Sequence, residues 1–364
     1  MTATESNVSD APRGGTPFPV RRVALTGVAV VVGLIVAVGI FKTLSLPADE
    51  RLSIANWRDL LIAGISLGSI YALIALGYSI VYGILRMINF AHGEVFMVGG
   101  MISYFVSRAL HASGYMERNP WITIVILFIV GAAASTGTAV LLERVAYRPL
   151  RNAPRLVPLI TAIGASLFLQ NSFQGFFGPQ NRGYFVPTAI DGTVEIFGAT
   201  LEKTQLLTIG IGVISVVALS LFVARSRTGR SMRAVSEDRE IAALMGIDVD
   251  RTIVITFVIG GVLAGMAGVL WGLTFSSVRP TMGFVPGITA FTAAVLGGIG
   301  SVGGAAAGGL IIGVLSSTAP FLLLDGFNVP SAFQLKDVIT FLILVLVLIF
   351  RPTGLFGGKD REKV

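Results

Sequence analysis

Five polar residues stand inside apolar sequence, where they could do chemistry. Asn89, His92 and Glu94 interrupt one long apolar stretch, and Gln170 and Asn171 lie in another. Polar groups at membrane depth are costly and usually face a cavity or a pathway. We predict that the stretch with Asn89, His92 and Glu94 is the functional region and that all five residues are candidates to line a substrate pathway. If the protein were instead a secondary transporter or channel, Glu94 with His92 would be its candidate proton relay. The alternative is hydrogen bonding between helices, which buried amides and hydroxyls commonly supply.

The remaining residues give little support to enzymatic chemistry. The chain has two histidines and no cysteine, which excludes disulfides and thiolate metal sites. We find no convincing nucleophile–base pair, metal cluster or carboxylate pair. Gly298 to Gly303 matches G-x-G-x-x-G, but the motif lies in an uncharged run and not between a soluble strand and helix. We predict no catalytic residue, metal or cofactor, and since a P-loop is also absent, nucleotide energy must come from another chain.

Composition places the chain in a membrane. Hydrophobic residues make up 54% of it and charged residues 13%, whereas soluble domains carry about 25% charge. The net charge of +7 does not indicate nucleic-acid binding, because the basic residues lie in short segments between apolar runs.

The apolar runs predict an all-α polytopic protein with about ten transmembrane segments. The segments are expected at residues 23–41, 60–85, 89–107, 121–142, 156–177, 205–224 and 252–275, with two crossings in 280–324 and one at 338–350. Residues 1–22 are predicted to be a disordered cytoplasmic tail, and residues 351–364 a second one, since basic flanks favour the cytoplasmic side. The run at 23–41 follows two arginines like an export signal, but its length favours a retained helix.

Ten crossings divide into two sets of five, and an odd number per set forces the second set to run opposite to the first. The two most interrupted segments, Asn89–Gly100 and Gly287–Gly300, occupy matching places in the two sets. Inverted repeats with interrupted helices are typical of transporters. Small residues also recur at every fourth position, for example Gly64 with Gly68 and Gly261 with Gly265, which lets helix backbones approach closely.

The longest basic loop, residues 225–251, contains a predicted short helix. Asp238 suits a helix start and Gly246 a helix end. Ile241, Ala242, Leu244 and Met245 would form a small exposed apolar surface, suited to docking in a groove on a partner protein. A helix lying on lipid headgroups is the alternative.

Four segments together resemble one transporter family. They read YALIALGYSIVYGILRMINFAHGEVFMVGG, AYRPLRNAPRLVPLITAIGASLFLQN, RAVSEDREIAALMGIDVDRTIVITFVIGGVLAGMAGVL and FTAAVLGGIGSVGGAAAGGLIIG. They closely resemble the LivH-type permeases of branched-chain amino acid ABC importers, in the same order from about Leu60 onward. The resemblance implies a permease domain at 60–350, preceded by an extra transmembrane helix at 23–41.

The basic loop is similar to the EAA loop of importer permeases. The positions of the predicted ATPase-coupling site are Arg233, Asp238, Glu240, Ala242, Ala243 and Gly246, and Ile241 interrupts the strict E-A-A pattern. This similarity favours ATPase contact over a lipid-bound helix.

The resemblance implies a multi-pass cell-membrane protein with cytoplasmic termini. Its partners would be a second, LivM-like permease, two cytoplasmic ATP-binding subunits and an extracytoplasmic solute-binding protein. The expected function is import of branched-chain amino acids by alternating access. A urea or short-amide permease is one alternative, and a secondary transporter or channel that uses Glu94 is another.

Overall fold

The protein, described by a computed structural model, is built almost entirely of helices. The description covers residues 20–47, 50–151, 153–154, 156–196, 199–329, 331–351 and 353–356. Most of the predicted N-terminal tail, residues 1–19, and residues 357–364 of the C-terminal tail lie outside it.

Thirteen α-helices are present in these residues. They are α1 (Val20–Leu44), α2 (Ile54–Leu85), α3 (His92–Ala112), α4 (Tyr115–Arg118), α5 (Pro120–Leu142), α6 (Leu156–Phe177), α7 (Lys203–Arg225), α8 (Arg227–Glu237), α9 (Arg239–Leu244), α10 (Val249–Phe275), α11 (Phe284–Gly297), α12 (Val302–Leu324) and α13 (Lys336–Phe350). A π-helical turn, Glu143–Tyr147, extends α5. The strands are β1 (Arg182–Gly183), β2 (Thr193–Ile196), β3 (Ala199–Glu202) and β4 (Ser277–Val278), which pair as β1 with β4 and β2 with β3.

Nine helices within the described ranges are long and apolar enough to cross a membrane. The tenth predicted crossing is α11, which has 14 residues. At 1.5 Å per residue it spans about 21 Å, less than the roughly 30 Å of a bilayer core. The predicted all-α polytopic fold is confirmed. The segment predicted to be interrupted, Gly287–Gly300, consists mostly of this short helix.

Several helices begin earlier than their apolar runs, and α2 and α10 do so by at least three residues behind a side-chain cap. α2 starts at Ile54, where the Ser53 side chain accepts a hydrogen bond from the Asn56 backbone N–H at 3.2 Å. α10 starts at Val249, after Asp248 caps it in the same way through the N–H of Arg251 at 2.9 Å. Capping by a polar side chain satisfies free backbone donors, so a charged first turn can precede the apolar part of a helix.

The loops gather on two opposite faces of the bundle. The first face is defined by residues 86–91, 143–151, 226–248, 298–301 and 353–356. Hydrogen bonds connect its segments: the Arg86 guanidinium donates to the Ser236 carbonyl at 3.0 Å, and the Leu355 N–H donates to the Leu296 carbonyl, at the end of α11, at 2.7 Å. The second face is defined by residues 178–202, 276–283 and 325–335 with the end of α1, and there the Gly326 N–H donates to the Thr43 hydroxyl at 3.1 Å.

Small residues bring the central helices into backbone contact. α2 packs mainly on α12, and α10 packs mainly on α5. A Cβ atom placed on Gly309 of α12 would lie 2.5 Å from the Ala72 Cα of α2, and one on Gly261 of α10 would lie 2.7 Å from the Thr136 Cα of α5. The predicted close approach of backbones therefore occurs at both helix pairs.

The packing also agrees with the predicted inverted repeat. In that repeat α2, α3 and α5 correspond to α10, α11 and α12. Each helix pair should then have a counterpart in the other half. The counterpart of α2–α12 is α10–α5, that of α3–α5 is α11–α12, and that of α3–α10 is α11–α2. All six pairs are extensive contacts in the structure.

Candidate functional site

A buried polar cluster surrounds the start of α3. Asn89 lies in the break between α2 and α3, and His92 and Glu94 lie in the first turn of α3. The three residues are 5%, 2% and 1% exposed, respectively. A carboxylate in the first turn is favoured by the positive end of the helix dipole, which helps to explain why α3 begins here.

Three other helical segments supply partners to this cluster. The Tyr147 hydroxyl donates to the Asn89 side-chain oxygen at 2.6 Å, and the Ser166 hydroxyl donates to one Glu94 oxygen at 3.3 Å. Tyr78 of α2 meets the His92 ring edge-on, with centroids 4.8 Å apart. Sequence reasoning missed Tyr78, Tyr147 and Ser166, because these residue types are common in membrane helices.

His92 and Glu94, the candidate proton relay of the secondary-transporter alternative, are not joined directly. No hydrogen bond joins the two side chains in the described part of the chain. Residues two apart on a helix point in different directions. The second Glu94 oxygen, Oε2, is buried and has no hydrogen-bond partner among the residues that the structure describes.

The start of α11 closes over this free oxygen. A Cβ atom on Gly283 would lie 2.5 Å from Glu94 Oε2, and one on Gly287 would lie 2.9 Å from the Gly93 Cα. Only glycines allow α3 and α11 to approach this closely. These two interrupted segments therefore meet at the polar cluster.

Gln170 and Asn171 lie apart from the cluster, although Ser166 of the same helix reaches it. Gln170 is half-buried, and Asn171 is exposed and donates to the Leu167 carbonyl at 2.7 Å. Asn171 lines a shallow groove on the outer side of α6, between Gly164 and Gly175. The five predicted pathway residues thus occupy two separate places.

The Tyr147–Asn89 hydrogen bond gives a first prediction. Replacing Tyr147 with Phe leaves the buried Asn89 oxygen without its donor, which costs about 1–3 kcal/mol. We expect a lower thermal midpoint for the purified Tyr147→Phe protein, measured by unfolding in detergent. Tyr104→Phe is the matched control, because no hydrogen bond of the Tyr104 hydroxyl occurs within the described ranges. An equal drop in both variants would contradict the prediction.

The predicted short helix on the first face is α9. Asp238 caps it, accepting from the N–H groups of Glu240 at 2.9 Å and Ile241 at 3.1 Å. Gly246 follows it with a φ of +82°, a conformation that favours glycine.

The side chains of α9 and of the next residue divide between the bundle and solvent. Ala242 is buried, whereas Ile241, Leu244 and Met245 are 60%, 87% and 78% exposed. Glu240, Ala243 and Gly246 are exposed as well.

Hydrogen bonds from arginine side chains connect this loop to the end of α2. Arg239 donates to the Ile84 carbonyl at 2.7 Å, close to the Arg86–Ser236 contact. Partial burial, with smaller effects from Arg151 and Arg86, lowers the pKa of Arg239 below its ordinary value. Arg233 instead donates to the Val223 carbonyl and so holds α8 against α7.

A second group of charges joins α5, α10 and the π-helical turn. Arg151 forms ion pairs with Glu143 and Asp250, and Arg148 also pairs with Asp250. Glu143 is completely buried, whereas Asp250 is half exposed. Because Glu143 and Tyr147 lie in the same π-helical turn, this ion-pair group positions the Tyr147 hydroxyl against Asn89.

The buried ion pair gives a second prediction. Arg151→Ala leaves the Glu143 carboxylate buried without its partner, which costs about 3 kcal/mol. Arg148→Ala, the control, removes an exposed partner and should change the thermal midpoint much less. Adding Glu143→Gln to Arg151→Ala should restore part of the lost stability. Equal thermal midpoints for Arg151→Ala and Arg148→Ala would show that loss of the buried Arg151–Glu143 pair does not destabilise the protein more than loss of an exposed pair.

The second face has a cavity of about 310 Å³ that sequence reasoning missed. Its lining combines Tyr71 and Trp271 with the charged residues Arg279, Lys336 and Asp337. The sequence showed only that Arg279 follows the apolar run at 252–275 and that Lys336 and Asp337 precede the run at 338–350.

Comparison with known proteins agrees with this architecture. Residues 60–348 match the family described as branched-chain amino acid transport system / permease component. The high-affinity branched-chain amino acid permease LivH of Salmonella typhimurium is 43% identical over 306 residues, which cover 83% of this chain and 96% of LivH. The corresponding permease BraD of Pseudomonas aeruginosa is 41% identical over 316 residues, covering 85% and 99%.

A more distant relative carries a different substrate name. The fructose import permease FruG of Bifidobacterium longum is 25% identical over 251 residues, which cover 66% of this chain and 70% of FruG. No solved structure matches the chain. With a family match from residue 60 to residue 348, the chain belongs to the permease components of branched-chain amino acid transport systems.

Proposed function

We propose that this chain is the permease subunit of an ATP-driven importer that carries branched-chain amino acids into the cytoplasm by alternating access. Family membership and relatives above 40% identity with that substrate in their names support the proposal. The observation that carries it is α9, a capped helix with apolar side chains in solvent on a face rich in arginine. Such a surface is suited to a groove on a partner protein.

The first face would be cytoplasmic. Arg86, Arg148, Arg151, Arg233 and Arg239 all lie on it, and basic loops favour that side of a membrane. Both ends of the described chain then face the cytoplasm, since α1 ends at the second face and residues 353–356 lie on the first.

ATPase subunits would contact Ile241, Leu244 and Met245. Movement of α9 would pass directly to α2, because Arg239 holds the Ile84 carbonyl at the end of that helix. The break between α2 and α3 follows at once and carries Asn89. Docking and the polar cluster would therefore be connected through this hydrogen bond and the short chain segment from Ile84 to Asn89.

The substrate pathway would pass the polar cluster at Asn89, His92 and Glu94. The Glu94 oxygen without a hydrogen-bond partner supports this role, since an orphaned buried acceptor suits a pathway that opens in another state. Gln170 and Asn171 lie apart from this cluster and would line the pathway at a second place, the groove of α6, where a second permease subunit would cover it. A solute-binding protein would deliver substrate to the second face.

Short amides and urea are the alternative substrates, since one subunit does not determine what the binding protein delivers. The relatives' names favour amino acids with aliphatic side chains. Competition of unlabelled leucine, valine, urea and acetamide against labelled leucine uptake in cells would separate the two substrate classes.

The test is purification of the tagged chain from native membranes in mild detergent. We expect an ATPase and a second permease to elute with it, identified by mass, with ATP hydrolysis in the eluate. Gly246→Arg, which disturbs the end of α9, should remove the ATPase and leave the second permease. Elution of the chain alone, with transport that needs no ATP, would refute the proposal.

A further inference from the structure

The cavity on the second face has the groups that a zwitterion needs. It lies where the amino ends of α11 and α13 meet α2 and α10. Arg279 provides a guanidinium and Asp337 a carboxylate, while Tyr71, Trp271 and Val285 provide apolar surface. The lining is divided between apolar and polar residues, and small-molecule sites commonly combine apolar surface with a few placed charged groups.

Two charged groups in the cavity, those of Arg279 and Asp337, are not used in ion pairs within the described part of the protein. Neither Arg279 nor Asp337 forms an ion pair with any other residue that the structure describes. Lys336 is already engaged, since its ammonium group stands 4.4 Å above the centre of the Phe333 ring. Arg279 and Asp337 are therefore opposite charges that have no ion-pair partner in the described part of the chain.

The amino end of α11 adds positive electrostatic potential to the part of the cavity near Arg279. Its first residues, Phe284 and Val285, follow Gly283, whose position provides no side-chain cap for the backbone N–H groups. Such N–H groups and the helix dipole favour a carboxylate. Because Val285 and Pro286 line the cavity, this helix end opens onto it.

The cavity and the polar cluster lie in line along α2. Tyr71 in the cavity and Tyr78 in the cluster are seven residues apart, so they lie on the same side of the helix about 10 Å from each other. Met282 lines the cavity, and the next residue, Gly283, touches Glu94. One short segment, residues 279–283, thus separates the two.

We propose that this cavity binds the transported α-amino acid as a zwitterion, with Asp337 contacting the ammonium group, and Arg279 and the amino end of α11 contacting the carboxylate. The apolar side chain lies against Trp271 and Val285. This inference rests on the proposed function and adds to it the place where the substrate is held before it passes α11.

Fluorescence of Trp271 reads out binding in the full-length chain. Trp57 and Trp121 are replaced by Phe, so that Trp271 is the only tryptophan left. The protein in lipid nanodiscs is titrated with leucine, with 4-methylpentanoate, which lacks the ammonium group, and with leucinamide, which lacks the carboxylate. We expect saturable binding of leucine and up to about tenfold weaker binding of each analogue, because each analogue lacks one of the two charged groups.

The variants make the test specific. Asp337→Asn should weaken leucine about tenfold and leave 4-methylpentanoate unchanged, whereas Arg279→Gln should weaken leucine and leave leucinamide unchanged. Asp325→Asn is the control, because Asp325 is a half-buried acid on the same face outside the cavity. Absence of saturable binding, or an equal effect of Asp337→Asn on leucine and 4-methylpentanoate, would overturn the proposal.

Leucine uptake by cells separates this inference from the transport function. If deletion of the chain abolishes uptake but Asp337→Asn binds and transports leucine normally, the function stands and the cavity assignment is wrong. If deletion leaves uptake unchanged, the proposed function itself is wrong.

Discussion

Gly309→Val should yield almost no folded protein. The Cβ atom of any larger residue at this position would lie 2.5 Å from the backbone of Ala72, at the most extensive helix pair of the bundle. Overpacking costs about 1–3 kcal/mol where side chains can adjust, and more where two backbones must separate. We expect loss of the monodisperse peak in detergent and a strongly reduced amount in the membrane.

Gly303→Val in the same helix is the matched control. A Cβ atom there would have no described heavy atom within 4 Å, so the same change should leave the yield close to that of the native chain. Similar yields for the two variants would show that α2 and α12 tolerate separation, and the account of close backbone packing would be wrong.

Leu244→Asp should abolish coupling to ATP without unfolding the chain. Leu244 is 87% exposed, so the carboxylate costs the isolated subunit little. An apolar anchor at the centre of an interface commonly contributes more than about 2 kcal/mol, and we therefore expect ATP-dependent uptake to fall at least tenfold. Co-purification of the ATPase should fall in parallel, while the thermal midpoint of the chain stays unchanged.

Val194→Asp makes the same change at a less exposed apolar residue on the second face and controls for added charge. It should leave the amount of bound ATPase unchanged. If Leu244→Asp retains its ATPase, α9 is not the docking helix, and the alternative of a helix on lipid headgroups gains support.

Most of the fold could be predicted because the membrane makes the pattern simple. Apolar runs between basic loops located the spans, and one of them, Leu156–Phe177, has the bounds expected from the sequence. The starts of α2 and α10 were missed, because Ser53 and Asp248 cap initial turns in which polar or charged residues precede the apolar run, and hydropathy does not register such turns.

The site was predictable only in part. Asn89, His92 and Glu94 stood out because polar groups are rare in such sequence, and they do form one cluster. Their partners Tyr147 and Ser166 come from distant parts of the chain, so pattern alone gave no means of placing them. The cavity at Arg279 and Asp337 was missed for the same reason, since its residues converge only when four helices pack.

Leucine uptake into proteoliposomes that contain the chain with its co-purified partners distinguishes an ATP-driven importer from a secondary transporter. We expect uptake that requires hydrolysable ATP at the side of α9 and does not change when the proton gradient is collapsed. Uptake that continues without ATP, follows the proton gradient and is lost in Glu94→Gln would contradict it, and would make the chain a secondary transporter.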